Sequence, residues 1–270
     1  MLRYLSDYHT HTYLSGDSQS TLLQNIRAAH RAGLHELCAT EHWNLLDQQG
    51  NRLPAAYDFG PLLQQWRRLR NRWAGKVEVR VGIELGNSTV DTPAVEQGLQ
   101  IPQLDFVIGS LHSASLERGG IGIYTAAKKC RCRQDAVELL EDYVLQMEEL
   151  VQAGTFDVLG HIIYPLRYLP PDYELTLEPW EERLTDLMRQ IVQAGKGIEL
   201  NTTQGTTLTQ WTWVLERYRQ AGGEIITLGS DAHQPGYIGA GFQQALELLE
   251  YAGFRWLCTY RRRIPCFHRL

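Results

Sequence analysis

The sequence predicts a single α/β domain, residues 1–270, folded as a parallel barrel. Three observations predict it. Short, β-rich apolar runs recur seven times with amphipathic helical stretches between them. No long Pro/Gly/Ser-rich linker or low-complexity tract divides the chain, so one sheet can run through it. Six of the nine histidines fall at or just beyond the ends of the expected strands, and in a parallel barrel those ends share one face.

Taken in order, the expected strands are 4–11 (YLSDYHTH), 34–42 (LHELCATEH), 77–86 (VEVRVGIELG), 104–112 (LDFVIGSLH), 156–161 (FDVLGH), 197–201 (GIELN) and 224–233 (EIITLGSDAH). Among the helical patterns between them are TLLQNIRAAHRAG, PLLQQWRRLRNRWAG, DAVELLEDYVLQMEELVQAG and PWEERLTDLMRQIVQAG. Several of these close on a glycine where a C-cap uses one. Segments 113–134 and 162–176 read as irregular insertions. Both follow a strand-end histidine, which is where the loops of a barrel's working face belong. The tryptophans Trp66, Trp73, Trp180, Trp211, Trp213 and Trp256 sit mostly in helical patterns, which assigns them to packing.

The chain carries 26 Lys+Arg against 31 Asp+Glu, a formal charge of −5. No global attraction to nucleic acid or an anionic membrane is expected, and the RRR at 261–263 reads as a small solvated patch. There is no apolar stretch of membrane-spanning length and no secretory signal pattern at the N-terminus, so the expected location is cytoplasmic. Cys38, Cys130, Cys132, Cys258 and Cys266 are too few for a disulfide framework and read as reduced thiols. Cations flank Cys130 and Cys132 and should favour thiolate there, but no second pair at zinc-site spacing accompanies them.

The strand-end histidines are His9, His11, His42, His112, His161 and His233. His30, His35 and His268 lie elsewhere and are expected to pack or face solvent. Imidazoles converging from six strand ends point to a multinuclear metal centre. His9 and His11, two apart in an extended strand, face the same side and can share an ion. Asp17, Glu84 and Asp231 bring carboxylates to the same face, and Asp231 and His233 form a second i, i+2 pair. Mixed imidazole and carboxylate ligands suit zinc, manganese or iron.

These residues fall in an ordered set of motifs: the H-x-H of DYHTHT, the T-[DE]-H of ATEHW, the Glu of GIELG, the His of GSLH, the GH of DVLGH and the D-x-H of LGSDAH. In that order, over nearly the whole chain, they resemble the PHP (polymerase and histidinol phosphatase) superfamily. GHIIYPLRY, GKGIELNTT and GGEIITLGSDAHQPGYIGAGFQQALELL resemble its histidinol-phosphate phosphatase branch. The resemblance implies a distorted seven-stranded (β/α) TIM-like barrel with three divalent ions at the C-terminal ends of the strands. It implies that His9, His11, Glu84 and Asp231 hold the first ion. Glu84, as a bridge, shares the second with His112 and His161, and Asp17, His42 and His233 hold the third. Glu41 stands where the family more often has Asp; the extra methylene either alters support for His42 or is simply tolerated.

Three divalent ions against three ligand carboxylates leave a cationic pocket that favours a phosphate monoester dianion. A metal-bridging hydroxide can then attack without a protein nucleophile. The chain has no G-x-S-x-G elbow, no Walker loop and no strand-following G-x-G-x-x-G. The expected activity is hydrolysis of L-histidinol phosphate to L-histidinol and inorganic phosphate, the biosynthetic step being implied by the resemblance. A related phosphoesterase acting on a nucleotide or phosphotyrosine protein is the alternative, followed by a non-catalytic regulatory barrel. Asp231, to orient the nucleophile, and His233, to protonate the leaving alkoxide, are the expected catalytic groups. Arg167, six residues past His161 on a loop over the pocket, is the expected phosphate ligand. A surface pairing with Asp172 or Glu174 is its competing assignment.

Overall fold

Each strand of the sheet is followed by a helical layer that returns the chain to the same end, and this makes the sheet parallel. The structure, a computed structural model, describes residues 3–206 and 210–270. The strands, in spatial as well as sequence order, are β1 (Ser6–Asp7), β2 (Glu36–Asn44), β3 (Glu78–Gly86), β4 (Phe106–Ser110), β5 (Val158–Leu159), β6 (Gly197–Asn201) and β7 (Ile226–Gly229). The first and last strands meet: Tyr8 N–H donates to Leu228 O at 2.8 Å, and Asp231 N–H donates to His9 O at 2.9 Å. The sheet thereby closes into the expected barrel.

The helices are α1 (Leu22–Arg31), α2 (Gly60–Trp73), α3 (Thr92–Gly98), α4 (Ile123–Lys129), α5 (Arg133–Ala153), α6 (Glu181–Gln193), α7 (Trp211–Gln220) and α8 (Phe242–Tyr251). α1 begins on a capping box in which Thr21 and Gln24 satisfy each other's backbone N–H. α5 ends on Gly154 in the left-handed conformation, as its sequence predicts. Segment 113–134 is less irregular than expected because it contains α4; segment 162–176 is built of short 3-10 turns. No helix among the described residues is long and apolar enough to cross a membrane.

Strand alternation divides the apolar residues into two cores. Leu37, Ala39, Val107 and Leu159 face outward into the large layer shared with the helices. Tyr8, Cys38, Phe106, Ile108 and Val158 face the lumen and form a second cluster with Cys258 and Tyr260. The last two belong to an antiparallel hairpin, β8 (Trp256–Arg261) and β9 (Ile264–Arg269), which the β-α alternation did not reveal. The hairpin crosses the N-terminal end of the barrel. Its turn is tied down by Arg262 N–H on Asp105 Oδ1 (3.0 Å), and Arg263 Nε donates to Asp157 Oδ2 (2.5 Å). The arginine run is therefore a hairpin turn with one arginine paired, not simply a solvated patch, and Trp256 lies in a strand.

The Tyr260 ring is 4.8 Å from that of Phe106 and only 2% exposed, so it plugs the lumen. Its hydroxyl has no hydrogen-bond partner. Tyr260→Ala is expected to cost about 3–5 kcal/mol, whereas Tyr260→Phe should be close to neutral. Urea unfolding followed by circular dichroism measures both.

Candidate metal centre

Above the apolar plug the lumen becomes polar, and the ends of the strands deliver the expected side chains to it. All nine sequence-predicted ligands lie there. Glu84 is the hub, 1% exposed on β3. Its Oε2 is 3.2 Å from His9 Nε2 and 3.5 Å from His11 Nε2, and both nitrogens lie 3.5–3.6 Å from Asp231 Oδ1. Its Oε1 is 2.9 Å from both His112 Nε2 and His161 Nε2, which are 3.3 Å from each other. At the mouth, Asp17 Oδ2 lies 3.1 Å from His42 Nε2 and 3.2 Å from His233 Nε2. His42 Nδ1 closes on Glu84 Oε2 at 2.7 Å, which links the mouth to the hub.

These separations fit metal ligation. Donor atoms about 2.1 Å from a tetrahedral ion stand about 3.4 Å apart. His9 Nε2, His11 Nε2 and Glu84 Oε2 are buried and have no hydrogen-bond partner. Such groups are costly unless something else satisfies them, and a divalent cation does. The far ring nitrogens are held, which frees the near ones as donors to an ion. His9 Nδ1 bonds Glu199 Oε1 (2.6 Å), His11 Nδ1 bonds Ser15 Oγ (3.0 Å), His112 Nδ1 bonds Asn44 Oδ1 (2.8 Å) and His233 Nδ1 bonds Asp231 O (3.0 Å).

Sequence reasoning missed these supporting groups. Glu199 and Asn201 carried a readable signal, being polar residues at alternate positions of an otherwise apolar buried strand. Asn44, Ser15 and Ser110, which donates to Glu84 Oε1 at 2.8 Å, carried none. Glu41 makes no hydrogen bond to the His42 ring. Its Oε2 accepts from Ser15 Oγ (2.6 Å) and Thr12 N–H (3.0 Å), so it braces the turn that orients His11. Gly229 has a steric reason, since a Cβ there would lie 2.5 Å from His9 Cβ.

Arg167 reaches the site rather than the surface. Its Nη1 donates to Asp231 Oδ2 (3.1 Å) and its Nη2 to Asn201 Oδ1 (2.9 Å), not to Asp172 or Glu174. Its Nε is buried without a partner. Asp231 adopts φ 59°, a left-handed conformation uncommon for a non-glycine residue and frequent at functional sites. His30, His35 and His268 lie apart from the centre: His30 meets the Trp73 ring edge-on, His35 Nδ1 accepts from Leu5 N–H, and His268 Nε2 contacts Thr259 Oγ1. Burial pushes the Cys130 thiol up, opposite to the pull expected of the flanking cations.

The carboxylates make the site a trap for positive charge. Burial alone would lower the His42 pKa, but Glu84 and Asp17 outweigh it and raise it to about 10. Burial, then the neighbouring His42, lowers His11 to about 3. Burial opposes ionisation of Glu84, yet His9, His112 and His42 hold its carboxyl well below the usual range.

A closed parallel barrel with a buried His/Glu/Asp centre at its strand ends defines a metal-binding (β/α)-barrel protein. Its family follows from a direct match: the chain belongs to the PHP domain family, whose model matches residues 7–203. It is 27% identical over 259 residues to the histidinol-phosphatase of Lactococcus lactis, covering 94% of this chain and 93% of the relative. It is 29% identical to a probable histidinol-phosphatase of Deinococcus radiodurans, covering 96% and 97% of the two chains. The crystal structure of the Lactococcus lactis histidinol phosphate phosphatase, complexed with zinc, L-histidinol and phosphate, superposes with a TM-score of 0.83. The sequence identity in that pair is 25%, covering 97% of this chain and 98% of that one.

Glu84→Gln keeps the volume but removes the charge shared by two histidine sets, so elemental analysis should find about two fewer bound transition-metal equivalents. In the metal-free protein a His42 raised to about 10 is protonated at neutral pH, so an ion must displace that proton. Zinc affinity should therefore rise with pH across neutrality, by up to about tenfold per unit for each proton released. Titration calorimetry in buffers of different ionisation enthalpy should detect that release; zinc binding without it would contradict the reading.

Proposed function

We propose that this chain is a metal-dependent phosphomonoesterase that hydrolyses L-histidinol phosphate to L-histidinol and inorganic phosphate, acting as a single domain over residues 1–270. One observation carries the reading. Buried Glu84 divides its two oxygens between two imidazole sets, with a third set and an arginine at the same mouth. The likeness to an enzyme crystallised with zinc, L-histidinol and phosphate supplies the substrate.

Three divalent ions, zinc, manganese or iron, are the cofactors of the proposal. His9, His11, Glu84 and Asp231 would hold one; Glu84, His112 and His161 a second; Asp17, His42 and His233 a third. When bound, such ions supply Lewis acidity toward phosphoryl oxygens and a hydroxide nucleophile at neutral pH. The chain's own residues do the rest. Asp231, fixed by its backbone conformation and by Arg167, orients the nucleophile. His233, at the mouth and partly exposed, supplies the proton needed by the leaving alkoxide. Arg167 turns its guanidinium to the substrate's phosphoryl oxygens, exchanging its bonds to Asp231 and Asn201 for a charge-assisted pair. The five cysteines are free thiols, which supports a reducing, cytoplasmic setting.

Phosphate release across L-histidinol phosphate, nucleoside monophosphates and a phosphotyrosine peptide tests the substrate; a nucleotide or peptide turned over faster than L-histidinol phosphate would overturn it. Arg167→Ala should lower kcat/KM by about ten- to a hundredfold with metal content unchanged, and Arg167→Lys should recover only part of the loss. Unchanged kinetics with reduced thermal stability would make Arg167 structural. An Asp231 or His233 variant with full metal content and full turnover would refute its catalytic assignment.

A further inference from the structure

The end of the barrel opposite the metal centre holds a cleft of about 1400 Å³ that none of the chemistry above uses. It opens between α2, the start of β3, the segment before β4 and the turn of the β8–β9 hairpin. All the basic residues lining it are arginines, although the chain as a whole is acidic. Arg67 and Arg70 come from α2, Arg80 from β3, and Arg261, Arg262 and Arg263 from the hairpin turn.

Two of these are paired within the protein: Arg80 Nε donates to Glu36 Oε1 at 2.7 Å, and Arg263 to Asp157. Arg80 still leaves Nη2 buried without a hydrogen-bond partner. The other four have no carboxylate partner among the described residues. Arg70 instead lies over the Trp66 ring, 4.3 Å from its centroid. The carboxylates lining the cleft are those of Glu78 and Asp105. Asp105 is already occupied, accepting from Val81 N–H (3.3 Å) and Arg262 N–H (3.0 Å).

The turn supplies an independent observation. Arg262 and Arg263 both have positive φ, 49° and 67°. A two-residue hairpin turn of this kind favours Asn-Gly, because most side chains resist that conformation. Arg263 is accounted for by its pair with Asp157, but Arg262 holds the turn by its backbone N–H alone, so folding the turn does not call for its guanidinium. Strained residues that persist where a better local choice exists mark function.

We propose that this cleft binds a small polyphosphate anion, at a site separate from the metal centre. Guanidinium forks match phosphoryl oxygens in pairs. The cleft is far larger than one phosphate, and a chain of phosphates offers acceptor oxygens to arginines delivered by three separate segments. The inference does not depend on the phosphatase reading, because none of these arginines approaches the metal ligands.

Calorimetric titration of the metal-loaded protein with tripolyphosphate, ATP and inorganic phosphate, in excess magnesium so that the active-site ions are not stripped, tests the proposal. At the cleft, tripolyphosphate should bind as one equivalent and inorganic phosphate at least about tenfold more weakly. Arg67→Gln, and separately R261Q/R262Q, should each weaken tripolyphosphate by about tenfold, while Arg167→Ala should leave its binding unchanged. Arg67→Gln, on an exposed helix position, keeps the test valid if the turn variant fails to fold. ATP binding more tightly than tripolyphosphate makes a nucleotide the ligand; equal affinity makes it an inorganic chain. The proposal fails if neither binds. It also fails if binding survives both cleft variants but is lost in Arg167→Ala, or if an oligonucleotide or acidic peptide binds more tightly than tripolyphosphate.

Discussion

The whole upper half of the molecule is organised around one buried carboxylate. Glu84 lies at the closed centre of the barrel with four imidazoles, those of His9, His42, His112 and His161, within 3.2 Å of its oxygens. Burying a carboxylate costs several kcal/mol unless positive charge accompanies it. Here the imidazoles that surround it are delivered from β1, β2, β4 and β5, so no single element can form the site alone. The centre exists only once the sheet has closed. Folding of the barrel and assembly of a cation trap are thus the same event.

This constraint explains the uneven lumen. Its lower part is apolar and sealed by the hairpin, with Tyr8, Phe106 and Tyr260 in ring contact. The upper part has almost no apolar residues and several orphaned polar atoms, so it contributes little stability without ions. At the sealed end the Tyr8 hydroxyl donates to Glu36 Oε1 and accepts from Tyr260 N–H at 2.7 Å, which ties the hairpin to the start of β2. The closed lower end lets the upper end stay polar and unpaired.

The sequence announced the fold and the side chains that gather at the strand ends because both rest on local rules. Strand and helix periods are written in consecutive residues, and a histidine at a strand end is visible as such; the i, i+2 spacing of His9 and His11 told their common side. What stayed hidden depends on contacts between distant segments. Glu41 reads locally as a neighbour of His42, yet it reaches back to Ser15 and thereby to His11. Asn44 lies 68 residues from the His112 ring it steadies. The hairpin escaped because β8 and β9 interrupt the parallel repeat, and their arginine turn lacks the Asn-Gly signal of a tight hairpin.

The expected strand at 224–233 was four residues too long at its C-terminal end, and the cause connects structure to chemistry. After Gly229 the chain leaves the ladder because Asp7 captures Ser230, whose N–H and Oγ bond the two Asp7 oxygens at 3.0 and 2.6 Å. Gly239 N–H joins the same carboxylate at 2.9 Å, so both ends of the 230–239 loop are pinned to one buried side chain. Asp231, the next residue, adopts a left-handed conformation. That conformation sends Oδ1 toward His9 and His11 and Oδ2 toward Arg167. Asp7 thus pins the loop that carries Asp231 from outside the candidate centre, and that one carboxylate faces the two histidines and the arginine together.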